Sequence, residues 1–266
     1  MSKTIHFTSG LPRACSTLLQ NLIAQNPRVH ATATSGVHEI MYLSKAFFKT
    51  EEFRTLPEPK EGERLFLDFM RAGISNAFDN QTDRPVVVDK CRSWIGSVNL
   101  LFQIFPDAKL LVPVRDVRGI LCSMEKKFQT HPGFQLEMSQ ADTGRIQTIE
   151  GRCQFWLDTA PVGIAIQRLH ELARLHRNRV HFVRAEDLTT DPQGTMDKVW
   201  EYLGEEPFTH DPMNVEQYTQ EHELGWPYGD HKIRPVVKPL KPEWYDILGR
   251  QFSEAINHKF SWISDL

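Results

Sequence analysis

The stretch Gly10-Leu11-Pro12-Arg13-Ala14-Cys15-Ser16-Thr17 follows the apolar run Ile5-His6-Phe7-Thr8-Ser9 and leads into Leu18-Leu19-Gln20-Asn21-Leu22-Ile23. That layout is a phosphate-binding loop between a strand and a helix. In the GxxxxGK[ST] loop that cradles a nucleoside triphosphate, the second glycine permits close backbone approach, the lysine neutralises the outer phosphates and the last hydroxyl holds magnesium. With Gly10 as the first glycine, Cys15 stands at the second, Ser16 at the lysine and Thr17 at the hydroxyl. The central charge of triphosphate chemistry is gone. What remains is a helix N-terminus with open backbone N–H groups, two hydroxyls and Arg13 inside the loop, a set suited to one compact anionic group held without a metal.

Outward from this loop, short apolar runs alternate with helical segments, the pattern of a parallel sheet covered on both faces. Strands are expected at Thr4–Thr8, Val86–Asp89, Leu110–Val114 and Val180–Arg184, with a weaker one at Val29–Ala33. They are short and rich in β-branched or aromatic residues, as in strands buried on both sides. Helices are expected at Ser16–Gln25, His38–Phe48, Arg64–Phe78, Ser93–Ile104, Val117–Lys127, Ile146–Arg174, Asp191–Leu203 and Pro242–His258. The fold class is therefore α/β, with a central parallel sheet of about five strands flanked by helices. Thr50–Glu63, Gln129–Gly144 and Glu205–Pro239 carry prolines, glycines and charges and read as loops or lids.

The 266 residues, 40% of them hydrophobic, are enough to bury the core of a single domain spanning 1–266. A net charge of -3 and a pI near 6.4 give no overall basic field, so neither nucleic acid nor a membrane is expected as a partner. Any anion site must be a local cluster. Cys15, Cys91, Cys122 and Cys153 form no CxxC pair, and the histidines form no HExxH motif. No metal site or disulfide scaffold is expected, and a reducing compartment is. Residues 1–9 read as a core strand rather than a signal segment, and no apolar run approaches the length of a membrane span, so a soluble, cytoplasmic protein is expected.

In doubly wound sheets, ligands bind beyond the carboxyl ends of the strands. The run Lys109-Leu-Leu-Val-Pro-Val114 ends in Arg115-Asp116-Val117-Arg118-Gly119, and Ser123 lies eight positions after Arg115, about two helical turns on. Both side chains can then address one phosphate. Further along, His231-Lys232-Ile233-Arg234 follows the irregular stretch Gly225–Asp230, where Trp226 and Tyr228 offer aromatic faces.

These residues carry a resemblance. GLPRACSTLL resembles the 5′-phosphosulfate-binding loop of the sulfotransferase family that depends on PAPS (3′-phosphoadenosine 5′-phosphosulfate), usually [GY]-x-P-[KR]-S-G-[ST]-T-[LW]. Here Ala14 and Cys15 replace the usual Ser and Gly, and the cysteine puts a side chain where backbone is expected to approach the sulfonate. Arg115 with Ser123 is similar to the family's 3′-phosphate site. Phe105-Pro106-Asp107-Ala108-Lys109 resembles its approach to that strand, and Phe182-Val183-Arg184-Ala185-Glu186-Asp187-Leu188 its fifth-strand ending. His231–Arg234 resembles in placement the C-terminal basic segment that closes over the 3′-phosphate, although the letters differ from the RKG form of the cytosolic enzymes.

The resemblance, to the bacterial or phage type, implies a three-layer P-loop-like fold. It implies transfer of a sulfuryl group from PAPS to a hydroxyl or amine on a small-molecule, carbohydrate or peptide acceptor, with release of PAP. The implied cofactor contacts are Arg13, Ala14, Cys15, Ser16, Thr17, Leu18, Arg115, Ser123, His231, Lys232 and Arg234. A homo-oligomer is left open.

Sulfuryl transfer needs an acceptor deprotonated as it attacks, positive charge on the SO3 group and bridging oxygen, and exclusion of water. Arg13 is the first electrophilic group. Lys90, just after Val86–Asp89, is the second, and Val88-Asp89-Lys90-Cys91-Arg92-Ser93-Trp94 resembles the DK[ST] segment of many bacterial sulfotransferases. It lacks the histidine that cytosolic members place nearby as general base. Thr34-Ser35-Gly36-Val37-His38-Glu39 lies where tyrosyl-protein and several bacterial sulfotransferases place a catalytic glutamate, so Glu39 is the expected base, with His38 and Asp89 behind it. Two alternatives stay open: a P-loop kinase or NTPase, for which Asp89 would hold magnesium at a strand end, and a catalytically idle PAP-binding interaction module. Phe47, Phe48, Trp94, Trp226 and Tyr228 are candidates for lining an acceptor pocket.

Overall fold

The structure, a computed structural model, describes residues 3–131, 144–221 and 231–266. Among these, β1 (Thr4–Thr8), β2 (Val29–Thr34), β3 (Val86–Lys90), β4 (Leu110–Val114) and β5 (Val180–Arg184) form one parallel sheet in the order β2-β3-β1-β4-β5. β2 and β3 each run one residue past the expected end, to Thr34 and Lys90. β2 lies at an edge, with only Val29 and Thr32 buried, which is why its apolar signal is weak. In β3 the alternation is plain: Val86 and Val88 face one core with Leu19, Leu22 and Trp200, while Val87 faces the other with Phe7, Leu110 and Val112. Two cores on one sheet make the three-layer architecture.

The helices are α1 (Ser16–Ala24), α2 (Val37–Ser44), α3 (Glu51–Arg54), α4 (Pro59–Gln81), α5 (Val98–Ile104), α6 (Val117–Thr130), α7 (Ile149–Asp158), α8 (Val162–His176), α9 (Ala185–Thr190), α10 (Pro192–Leu203), α11 (Trp244–Leu248) and α12 (Arg250–Phe260). Five expectations need correction. The helix expected at His38–Phe48 ends at Ser44 and continues as a tighter 3-10 turn over Lys45–Lys49, and Ser93–Ile104 is a 3-10 turn over Arg92–Gly96 followed by α5. The single helix at Ile146–Arg174 breaks into α7 and α8 around Ala160 and Pro161, because proline has no N–H to continue the ladder. The last helix breaks at Gly249, whose φ of 76° ends α11. Thr50–Glu63 is not a loop throughout: Thr50 caps α3 by accepting from the Phe53 N–H at 3.3 Å, and Phe53 packs on the rings of Phe47 and Phe48.

The topology gathers the site. From central β1 the chain crosses β3 to reach β2 on one side, and β4 and β5 follow on the other. The connection after β1 therefore opens at the switch point, beyond the carboxyl ends of β1, β3 and β4. Gly10 is required there, since a Cβ would overlap the Pro113 carbonyl oxygen while the Leu11 N–H bonds that same oxygen at 2.9 Å.

Candidate active site

The loop after β1 is bent by two residues in the left-handed region, Arg13 (φ 58°) and Cys15 (φ 59°). Each costs roughly 1–2 kcal/mol relative to a relaxed backbone, so surrounding contacts must hold them. Cys15 is the N-cap of α1, and its side chain caps nothing, which leaves the helix end open to an anion. Its side chain leans on the core of Leu19 and Leu22 while still bordering the cavity described below. Burial pushes its thiol above the ordinary range, against the pull of Arg115 and Arg13, so this is no activated nucleophile.

The two elements expected from the sequence to bind anions meet. Arg13 Nε donates to Ser123 Oγ at 3.0 Å, and Arg115 Nη1 donates to the Arg13 carbonyl oxygen at 2.9 Å. Arg115 Nε is buried with no partner. Gly119, one turn on, leaves space for this guanidinium, because a Cβ there would lie 2.8 Å from Nε. Asp116 does not take Arg115: it caps α6 through the Arg118 N–H at 2.8 Å and pairs with the Arg118 guanidinium at 2.6 Å. A cavity of about 360 Å³ opens here, lined by the loop from Gly10 to Leu18, by Lys90, Arg115 and Ser123, and by His231, Lys232, Ile233 and Arg234.

The last four residues belong to a strap covering the described parts of 205–240. Side-chain amides hold it. Gln25, the residue that closes α1, donates to the Asp211 carbonyl at 2.9 Å and accepts from its N–H at 3.0 Å. Asn21, also on α1, donates to Thr219 Oγ1 and accepts from the Thr219 N–H, both at 2.9 Å. Within the strap, Gln217 donates to the His231 carbonyl at 2.8 Å and accepts from the Ile233 N–H at 3.3 Å. Two backbone bonds, Val215 N to Pro235 O at 2.7 Å and Val237 N to Pro212 O at 2.8 Å, tie its arms together. Trp226 and Tyr228 lie outside the described residues.

At the end of β3, Lys90 faces the cavity and Asp89 turns away from it. Asp89 accepts from Thr32 Oγ1 at 3.1 Å and from Trp94 Nε1 at 2.8 Å, and burial pushes its carboxyl above the usual range despite those bonds. Each oxygen carries a hydrogen bond within the fold and Asp89 does not line the cavity, which counts against the kinase or NTPase reading that needs this carboxylate there. His38 is also buried, its ring nitrogens engaging Glu39 Oε1 at 3.2 Å and Ser97 Oγ at 3.0 Å, with its ring edge-on to Trp94. Glu39 stands exposed in the first turn of α2 and outside the cavity lining. Of the aromatic candidates, Trp94 is fully buried, and Phe47 and Phe48 belong to a cluster with Phe53 and Phe66.

The geometry adds two groups that no motif marks. Arg92 lines the cavity beside Lys90, and Glu221 of the strap reaches Lys90 Nζ at 2.6 Å. Among the described residues no cluster of His, Cys, Asp and Glu could hold a metal ion, and no helix is long and apolar enough to cross a membrane.

No curated protein matches this chain in sequence. Solved structures of similar fold include the sulfotransferase domain of the olefin synthase of Synechococcus PCC 7002, at 17% identity and TM-score 0.52 over 98% of this chain and 96% of that one. The sulfotransferase domain from the curacin biosynthetic pathway matches at 17% identity and TM-score 0.53 over 98% of each chain. A sulfotransferase from Alicyclobacillus acidocaldarius matches at 14% identity and TM-score 0.52 over 99% of this chain and 97% of that one. At such identities the likeness concerns the fold. The sequence profile of the sulfotransferase family matches residues 7–210, a span that runs from β1 through the loop, Lys90, Arg115 and Ser123 to the start of the strap, and the chain belongs to that family.

Proposed function

We propose that this protein transfers the sulfuryl group of PAPS to a hydroxyl or amine of a small-molecule, carbohydrate or peptide acceptor and releases PAP. One observation carries the reading: Arg13, Arg115 and Ser123, from two separate elements, are bonded together at the wall of a single cavity. A bisphosphorylated donor fits the residues present, because the buried, unpartnered Arg115 Nε offers a donor that a phosphate oxygen can satisfy.

When bound, PAPS supplies a sulfuryl group already activated on a phosphate leaving group. The N–H groups opening α1, from Ala14 and Cys15 to Leu18, with the Ser16 and Thr17 hydroxyls, hold the 5′ end. Arg115 and Ser123 hold the 3′-phosphate, with His231, Lys232 and Arg234 across the cavity. Arg13 and Lys90 place positive charge where it develops during transfer. Glu39, exposed in the first turn of α2 and outside the cavity lining, takes the acceptor's proton in this reading, which requires the acceptor to reach the cavity across the start of α2. Burial of His38 and Asp89 supports Glu39, the exposed group of the three, for that role.

Calorimetric titration with PAP tests the proposal. Stoichiometric binding without magnesium, not competed by ATP, is the expected result. Magnesium-dependent ATP turnover without PAP binding overturns it in favour of an NTPase, and tight PAP binding with no transfer across a broad acceptor screen reduces it to a binding module.

A further inference from the structure

Lys90 supplies positive charge in the proposed reaction, yet it is only 6% exposed. A buried ammonium with no counter-charge tends to give up its proton, because burial penalises the charged form. One carboxylate meets it. Glu221 Oε1 lies 2.6 Å from Lys90 Nζ and also accepts from Thr34 Oγ1 at 2.9 Å and the Thr34 N–H at 3.2 Å. Its other oxygen lies 3.1 Å from His231 Nδ1. Thr34, Lys90 and His231 all line the cavity, and Glu221 does not. It stands behind them, joining the ends of β2 and β3 to the strap.

We propose that Glu221 is a positioning residue that keeps Lys90 charged and aimed into the cavity while fastening the strap at His231 to the same point. This inference rests on the sulfuryl-transfer reading for the use made of Lys90. The other groups around the ammonium cannot do the same work. Arg92 repels it, the Cys91 thiol is pushed up by burial and carries no charge at neutral pH, and Asp89 is turned to Thr32 and Trp94. Burial draws the Lys90 pKa down, and Glu221 opposes that pull. Burial also works to raise the Glu221 carboxyl, but Lys90, His231 and Thr34 outweigh it and hold the group below its ordinary range. A carboxylate held low is a poor proton acceptor at neutral pH, so Glu221 acts through Lys90 rather than on the acceptor.

The sign of the effect follows. Removing the carboxylate lowers the Lys90 pKa further, so the ammonium is lost at lower pH. The test is NMR titration of the full chain carrying lysine labelled with carbon-13 at Cε, with the Lys90 signal assigned through Lys90→Arg and no donor added. In Glu221→Gln the Lys90 midpoint should fall by about one pH unit or more, and Glu221→Asp should recover part of it. An unchanged midpoint in a folded Glu221→Gln overturns the proposal. Once transfer is measurable, the alkaline limb of the kcat profile should move down by the same amount, whereas an equal loss of kcat at every pH would mean a structural role only. The NMR result stands without PAPS, so failure of PAP to bind the wild type breaks the functional reading and leaves this one separately decided.

Discussion

The two walls of the cavity are built by opposite means. The loop from Gly10 to Leu18 is local: a glycine packed on Pro113, two left-handed residues and an uncapped helix end create an anion cradle within one stretch of chain. The strap that carries His231–Arg234 has no helix or strand in its described part and is held by Asn21, Gln25, Gln217 and Glu221. The loop's bend is written in consecutive residues and pinned by contacts from Pro113, Arg115 and Ser123 that lie beside the cavity, so changes there should affect chemistry directly. The strap's shape is borrowed from distant side chains, so changes to its fastenings should loosen binding and stability while the chemistry persists.

The largest expected effects fall at the proposed base and in the loop. Glu39→Gln should lower kcat by roughly 10²–10⁴-fold with PAP affinity unchanged, measured by steady-state transfer and calorimetry. An unaltered rate would leave Glu39 as a helix-start carboxylate only. Arg13→Ala should lower kcat by roughly 10²–10³-fold, the range for losing a charge-stabilising donor at a transferring group. Near-wild-type turnover would take the loop wall out of the mechanism.

Arg115→Ala should weaken PAP binding about 10- to 100-fold, the equivalent of a charged hydrogen bond, while adenosine 5′-phosphosulfate loses little. Equal losses for both ligands would contradict the assignment of Arg115 to the 3′-phosphate. Asn21→Ala should cost about 1–3 kcal/mol in denaturant unfolding, since it leaves the buried Thr219 N–H and hydroxyl without their partner. PAP affinity should fall with it and kcat should not; a kcat loss without a stability loss would erase the distinction between the walls.

Cys15→Gly should be the quietest change. Relief of a left-handed cysteine, roughly 1–2 kcal/mol, opposes the entropy cost of glycine, about 0.5–1 kcal/mol, and the loss of packing against Leu19 and Leu22. A melting shift of a few degrees at most is expected. A large gain in transfer rate would mean that the cysteine obstructs the cradle after all.

Much of this was legible before any coordinates. The strands were read to within one residue because a stretch buried on both faces spells out its own composition. That Arg115 and Ser123 lie at the same crevice as Arg13 was expected from a strand end, an eight-residue helical spacing and the rule of the switch point, whereas their direct bonds to Arg13 were not. Other residues misled for a physical reason. Asp89 ends an apolar strand as a metal-holding aspartate does, and only the positions of Thr32 and Trp94 show its oxygens to be spent on the fold. Trp94 looks like a pocket aromatic by type and is core by contact, while Phe47 and Phe48 pack half-buried against that core, away from the cavity at the loop. Glu221, in Gln-Glu-His-Glu-Leu, has no spacing or motif to mark it, and its partner Lys90 is 131 positions away.

The amino-acid order alone determined the sheet and the loop after β1, because each depends on residues close together in the chain: burial period, turn-compatible residues and the start of a helix. Only the tertiary structure decided which carboxylates stay available, which are locked away and what holds the strap over the cavity. Those outcomes depend on side chains from distant positions, brought within hydrogen-bond reach by the crossovers between strands, and a pattern read along the chain carries no trace of such encounters.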